Sequence, residues 1–394
     1  MSSPIERQVD AAMAKVKWLP ISAAIASISV VGIAIGLGIP LLSIILEQRG
    51  YSASMIGLNT AVAGLASILA APIATPLAAR FGVIPVILVM IVAGAFSFIG
   101  FYFADAFWVW FPLRAALHVA LTVLFILSEY WISTSAPPTH RGLVLGIYAT
   151  VLSLGFALGP WLFAMIGSQG FMPFGTAFVI VMVAAIPVLA SWRDSPPMHR
   201  STETSQGFLR YVWLVPTATA AVLVFGAVET GGFALFPVYA ARIGYPEADA
   251  AILLSMVGLG NVLLQIPLGM ISDRVRDRRH LLILCAFVGL AGMMVLPIVA
   301  EQRQVLGALL FVWGGAVAAM YTVGLAHLSS RLSGRELANA NAAFVFCYGV
   351  GMLVGPQAIG LGMDGFGPAG FGYALAVFFI AYIVLALVRL GVER

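Results

Sequence analysis

Very few ionisable side chains fall inside the long apolar runs of this 394-residue chain, and those few carry its candidate chemistry. They are Arg114, His118 and Glu129 in one run, Glu229 in a second and His327 in a third. A charge at the centre of a membrane helix costs about 2.5–3.5 kcal/mol on insertion scales, so each is expected to face a cavity or a partner. At roughly 100° per residue, Arg114, His118, Phe125 and Glu129 fall within an arc of about 60° on one helix face. Arg114 and Glu129 lie about 22 Å apart along the axis, too far to pair with each other. The stripe reads as one wall of a water-accessible pathway. The alternative is interhelical glue, each group bonded to a neighbouring helix without touching a ligand.

Glu229 is followed by Gly231-Gly232, with Phe233 and Phe236 on its own face. Burial and a nearby cation act in opposite directions on a carboxylate's hold on its proton. A carboxylate so placed suits loading a proton on one side of a membrane and releasing it on the other; the alternative is a permanent ion pair, with Arg114 as the partner. Glu129 is the second candidate proton carrier, or a gate residue. His327 shares a stripe of period seven with Trp313 and Met320 and is a candidate gate or proton acceptor, or a structural histidine. Asn261 and Gln265 are one turn apart, and Asn341 and Tyr348 share a face. These amides either bond a neighbouring helix or line a cavity. Tyr130 and Tyr321 are candidate stacking surfaces for a flat ligand.

The elements that must position these groups are membrane helices. The chain is 61% hydrophobic and 9% charged, whereas a soluble domain is about a quarter charged. Twelve apolar runs are long enough to cross a ~30 Å hydrocarbon core, predicting an all-α membrane protein: about 19–46, 53–79, 83–104, 107–136, 143–167, 172–192, 211–242, 249–272, 280–300, 304–330, 338–363 and 369–390. The organisation read from them is a segment 1–18, a six-helix bundle 19–192, a polar linker 193–210 and a second bundle 211–394. Sixteen of the twenty Lys and Arg fall on the side shared by both termini, and only Arg49, Arg242 and Arg303 on the other. By the positive-inside rule both termini are then cytoplasmic. The net charge of +4 describes the inner membrane face rather than a nucleic-acid surface. Cys285 and Cys347 have no CxxC partner and read as packing residues.

The two bundles repeat one another. A shift of 194 residues lays Gly32 on Gly226, Gly38 on Gly232, Gly50-Tyr51 on Gly244-Tyr245, Gly64-Leu65 on Gly258-Leu259 and Arg80 on Arg274. A shift of 196 lays Gly155-x-x-x-Gly159-Pro160 on Gly351-x-x-x-Gly355-Pro356. Two matched membrane halves in the same order characterise transporters that rock one half against the other. The glycine-proline pairs read as mechanical, glycine for close packing and proline for helix bending. The loop after the eighth run reads Gly269-Met-Ile-Ser-Asp273-Arg274 with Arg276, Arg278 and Arg279 behind it, and its first-half counterpart is reduced to Thr75, Ala79 and Arg80. The sequence therefore resembles the major facilitator superfamily, with Asp273, Arg274 and Arg278 as an expected charge clasp, and SEYWI at 128–132, ETGGFALFPVY at 229–239 and GNVLLQIPLGMISDR at 260–274 resemble its YcaD-like branch.

That resemblance implies a twelve-helix secondary transporter of the bacterial inner membrane, working by alternating access as a monomer and coupled to protons. It is also similar to an alphaproteobacterial group known for a copper importer and a riboflavin transporter. The sequence has no G-x-x-x-x-G-K-[ST], H-E-x-x-H or G-x-S-x-G, so no ATP site, metal site, cofactor or catalytic nucleophile is expected. The fifteen methionines form no Met-x-x-x-Met pair on a helix, which disfavours copper. The expected substrate is a small organic solute, riboflavin or a similar flat aromatic. Proton-driven efflux of hydrophobic compounds is the alternative, and an intramembrane enzyme or sensor is the remaining class.

Overall fold

The computed structural model describes residues 18–136, 141–196, 207–332 and 334–392. All but the last residue of the expected N-terminal segment 1–18, and the middle of the expected linker, lie outside the described residues.

Among the described residues, twelve helices are long and apolar enough to cross a membrane: α1 (Trp18–Gln48), α2 (Ala53–Phe81), α3 (Val83–Phe103), α4 (Trp110–Ser135), α5 (Arg141–Ile166), α6 (Met172–Ala190), α7 (Pro216–Arg242), α8 (Glu247–Arg274), α9 (Arg278–Val299), α10 (Arg303–Arg331), α11 (Gly334–Phe366) and α12 (Ala369–Val392). No strand interrupts them among the described residues. The boundaries follow local chemistry. The seventh run starts later than its hydropathy suggests: Val215 leaves helical geometry, and Pro216, which lacks an N–H, opens α7 after the short helix Arg210–Leu214. The repeated Gly-Tyr pair ends α1 and α7 in the same way. Gly50 and Gly244 take positive φ of 81° and 94°, and the following tyrosine N–H groups reach back to Leu46 and Ala240 carbonyls at 3.1 and 2.9 Å. Only glycine adopts that turn without steric strain.

Within the first six helices α1 packs on α4 and α5, α2 and α3 pack on α4, and α3 packs on α6; within the second six α7 packs on α10, α11 and α12, α8 and α9 on α10, and α9 and α11 on α12. The two sets meet through α2 against α11, α5 against α8, and α7 against α1 and α2. The glycine-proline pairs sit in close backbone-to-backbone packing. A Cβ on Gly155 or Gly159 would collide with the α1 backbone at Gly32 or Gly36, and one on Gly351 or Gly355 with the α7 backbone at Leu223 or Ala227. Helices α5 and α11 continue through Pro160 and Pro356, so the glycines act here by close approach.

Helices α1 and α7 both begin, and α6 and α12 both finish, at one end of the bundle, called here the basic end. Arg80, Arg274, Arg276, Arg278, Arg279 and Arg331 gather there at the ends of α2, α8, α9 and α10.

Candidate functional site

Glu229 stands at the midpoint of α7, the most enclosed helix of the second half, and borders two cavities at once. The first lies between the two sets of helices; it is lined by Ile35 and Ile39 of α1, His118 of α4, Phe156 of α5, Glu229, Thr230 and Phe233 of α7, and Tyr348 and Met352 of α11. The second lies inside the second six helices, lined by Phe225, Phe233 and Phe236 of α7, Leu254 and Asn261 of α8, Met293 of α9, Trp313 of α10 and Phe371 of α12. Glu229 and Asn261 are the polar side chains of that wall, and the Oδ1 of Asn261 has no hydrogen-bond partner among the described residues. Trp313 is held in place by its indole N–H donating to the Gly289 carbonyl at 3.1 Å.

The Tyr348 hydroxyl donates to Glu229 Oε2 at 2.7 Å. The expected alternative of an ion pair with Arg114 is not seen. Arg114 is fully buried in the first half, where its Nε donates to Asn59 Oδ1 at 3.1 Å. His118, one turn on, sets Nδ1 against the Arg114 carbonyl at 3.1 Å. A carbonyl only accepts, so Nδ1 carries the hydrogen and a neutral His118 turns the lone pair of Nε2 outward. Tyr321 joins Phe225, Phe344 and Tyr348 in an aromatic cluster with ring centroids 5.4–6.3 Å apart.

The structure thus gathers His118, Glu229, Phe233 and Tyr348 at the central cavity, Asn261 behind it and Tyr321 beside it. Other expected site residues lie apart. Gln265, half-buried one turn beyond Asn261, lines neither cavity, and Phe125 and Tyr130 are half-buried against the core. Glu129 and Asn341 are exposed nearer the basic end. His327 is buried there on α10. Arg80 is exposed and lies over the Phe81 ring at 5.1 Å, and Gly269 has open space beside it. The expected clasp forms only in part: Arg278 approaches Asp273 at 3.6 Å and bonds Ser272. Arg274 takes no share in it, since neighbouring side chains on a helix diverge by about 100°. The tighter pair in this loop is Arg279 with Asp277 at 2.8 Å. Arg279 holds the partly exposed Asp277 carboxyl well below its ordinary range, at about 2.

Sequence reasoning missed the other end of the interface altogether. There Arg242, at the end of α7, donates to both carboxylate oxygens of Glu47 on α1, at 2.8 and 3.1 Å. Asp364, at the end of α11, accepts from the first amides of α2, Ala53 and Ser54, at 3.0 and 2.9 Å. Glu247, the first residue of α8, accepts from Ser168 at 2.7 Å and Gln48 at 3.1 Å. Every one of these bonds joins the two halves. One signal was available: the 196-residue shift that aligns the glycine-proline pairs also lays Ser168 on Asp364.

A pseudo-symmetric pair of six-helix bundles, with a cavity at their interface and a bonded seam at one end, defines a membrane transporter rather than an enzyme. The family model of the Major Facilitator Superfamily matches residues 24–356 and 243–394, and the chain belongs to that superfamily. It is 28% identical over 371 residues to the uncharacterized MFS-type transporter YfkF of Bacillus subtilis, covering 92% of this chain and 93% of the relative. It is 23% identical over 288 residues to the uncharacterized MFS-type transporter YcaD of Escherichia coli, covering 72% and 73%. Among solved structures, the nucleoside transporter NupG superposes with a TM-score of 0.77 at 14% identity, covering 95% of this chain and 99% of that one. A bacterial homologue of the lysosomal transporter Spinster, in an inward-facing and occupied conformation, superposes at 0.67 with 14% identity, covering 98% and 96%. At those identities the likeness is one of fold.

Proposed function

We propose that the protein moves a small organic solute by proton-coupled alternating access, with Glu229 as the proton carrier and the basic end in the cytoplasm. The observation that carries this reading is the position of Glu229, in the wall shared by the central cavity and the aromatic-lined cavity of the second half. Among the described residues its one hydrogen-bond partner is a neutral hydroxyl and no cation lies against it, so a proton can be taken up or released there without breaking an ion pair. The seam of bonds opposite the basic end then shuts the outer side, and the cavity is served from the cytoplasmic side. Glu129, exposed on the same face of α4 nearer that side, is suited to pass protons inward, and His327 to gate the basic end.

The lining supports a flat aromatic substrate, with riboflavin the first to test. Phe225, Phe233, Phe236, Trp313 and Phe371 offer ring faces, while Asn261 and Glu229 supply hydrogen bonds at one edge. Efflux of hydrophobic compounds is the second reading, favoured by the preponderance of apolar groups in that same wall. The test is riboflavin uptake into proteoliposomes with and without an imposed proton gradient. Saturable uptake that rises with the gradient is expected, and Glu229→Gln is expected to abolish the gradient-driven part while leaving membrane insertion intact. Normal gradient-driven accumulation by Glu229→Gln would remove Glu229 from the coupling role; no uptake by folded wild-type protein would discard riboflavin import and bring efflux forward.

A further inference from the structure

Arg114 is a fully buried cation with no carboxylate against it. Among the described residues it forms no ion pair, and its one side-chain hydrogen bond is to the Asn59 amide oxygen. Both terminal guanidinium nitrogens, Nη1 and Nη2, are buried without a partner, and so is Asn59 Nδ2. The two side chains are in contact, since the Asn59 NH₂ belongs to the same amide whose Oδ1 accepts from Arg114 Nε at 3.1 Å. Buried donors on two touching side chains call for a shared acceptor. A neutral acceptor would satisfy the hydrogen bonds and leave the charge faced only by the Phe101 ring, 5.9 Å from the guanidinium, in a low-dielectric interior. Acids elsewhere in the first half do not supply the charge: Glu47 is held by Arg242, Asp105 is exposed, and Glu129 is about 22 Å away along the helix.

We propose that Arg114 and Asn59 form a binding site for a small monovalent anion, a halide or a carboxylate group, inside the first six helices. His118, one turn from Arg114, lines the central cavity, so the site lies one helical turn behind that wall. The site is independent of the substrate reading above, and it places a negative charge in the first half across the central cavity from Glu229 of the second.

The test is thermal unfolding of the purified full-length protein, followed by intrinsic tryptophan fluorescence, in sodium chloride against sodium gluconate at equal ionic strength, with sodium formate as a third arm. No gradient or organic solute is needed, so the result stands apart from any transport outcome. Chloride at about ten times its dissociation constant is expected to raise Tm by ~2 °C. Arg114→Gln is expected to lose that shift. Asn59→Ala keeps the cation and is expected to need about ten-fold more chloride for the same shift; it decides the matter if Arg114→Gln does not fold. A shift with formate and none with chloride would support the site and assign it to the carboxylate of an organic ligand. Identical melting in all three salts, or a chloride shift that survives unchanged in both variants, would overturn the proposal.

Discussion

The two ends of the interface between the halves grow from one repeated sequence, yet among the described residues only one of them shows ion pairs and acid-held bonds running across. At the seam, acids and partners come from opposite halves: Glu47 with Arg242, Asp364 with the α2 amides, Glu247 with Ser168 and Gln48. At the basic end the pairs Asp273 with Arg278 and Asp277 with Arg279 stay within the second half. The seam also shows how a repeat diverges while keeping its geometry. Where the 194-residue shift lays Ala53 on Glu247 and the 196-residue shift lays Ser168 on Asp364, each junction retains one acid, on opposite members of the pair. In one, Asp364 meets bare amides at the start of α2, an arrangement favoured by the positive end of the helix dipole. In the other, the acid belongs to the helix start itself and a hydroxyl reaches it. The contrast explains how one end closes by short, directional bonds while the arginine-rich end, with like charges gathered at the tips of both halves, favours separation.

The contrast is broken most severely by filling the seam side. A Cβ on Gly57 of α2 would collide with the Pro356 carbonyl of α11, whereas nothing lies within 4 Å of one on Gly269 at the basic end. Overpacking costs roughly 1–3 kcal/mol, which multiplies the population of the separated seam by about 5–150. A cysteine at Ile39, which lines the central cavity, reports access. Labelling of Ile39→Cys by an impermeant thiol reagent from outside intact cells is expected to be slow in the parent, fast with Gly57→Leu and unchanged with Gly269→Leu. Equal rates in both would mean that the seam does not control access.

A milder break removes one partner of the ion pair. Arg242 and Glu47 are each partly buried and meet through two bonds, a geometry stronger than an ordinary surface pair. Arg242→Gln is expected to raise outside labelling of Ile39→Cys about ten-fold, from a loss of ~1–2 kcal/mol. The charge-exchanged pair Glu47→Arg with Arg242→Glu is expected to recover only part of the slow labelling, because Asp364, 3.9 Å from the Arg242 guanidinium, opposes a carboxylate there. Labelling that stays slow in Arg242→Gln alone would show that the pair is incidental.

The parts of this molecule legible in the sequence are those set by local rules. Apolar runs gave the spans because hydrocarbon thickness sets their length, and the repeat paired Gly50 with Gly244, which the structure then shows at matching helix ends with positive φ. Glu229 stood out for its chemistry in apolar surroundings, with Phe233 and Phe236 assigned to its face by helical period alone. Its hydrogen bond to Tyr348 was not legible, because that contact depends on how α7 packs on α11, 119 positions along the chain. The ring faces of Phe225, Trp313 and Phe371 were hidden among 25 phenylalanines and eight tryptophans whose ordinary task is packing. The seam was invisible for a different reason. Arg242, Glu47 and Asp364 lie at helix ends, where charge is cheap in water and needs no partner, so their identities carried no demand that docking of the halves then supplied.

The smallest effect sharpens the other side of the contrast. Asp277 caps α9 by accepting from the Arg279 backbone amide at 3.0 Å, and its side chain pairs with the Arg279 guanidinium at 2.8 Å. That partner lowers its pKa from 3.8 to about 2. A depressed carboxylate adds stability that is fully present above its unfolded pKa and fades as pH falls through the folded value, so the contribution is complete at neutral pH and drains away between about pH 4 and pH 2. Solvent screening holds the ion pair to no more than about 0.5 kcal/mol, while loss of the cap costs about 1 kcal/mol. Asp277→Asn, which keeps a capping oxygen, is expected to lower Tm at neutral pH by less than Asp277→Ala, and its melting is expected to converge with the parent's near pH 2. Because the pair lies within one half, neither variant is expected to change outside labelling of Ile39→Cys; a change there would mean that the basic-end charges, like those of the seam, report on the distance between the halves.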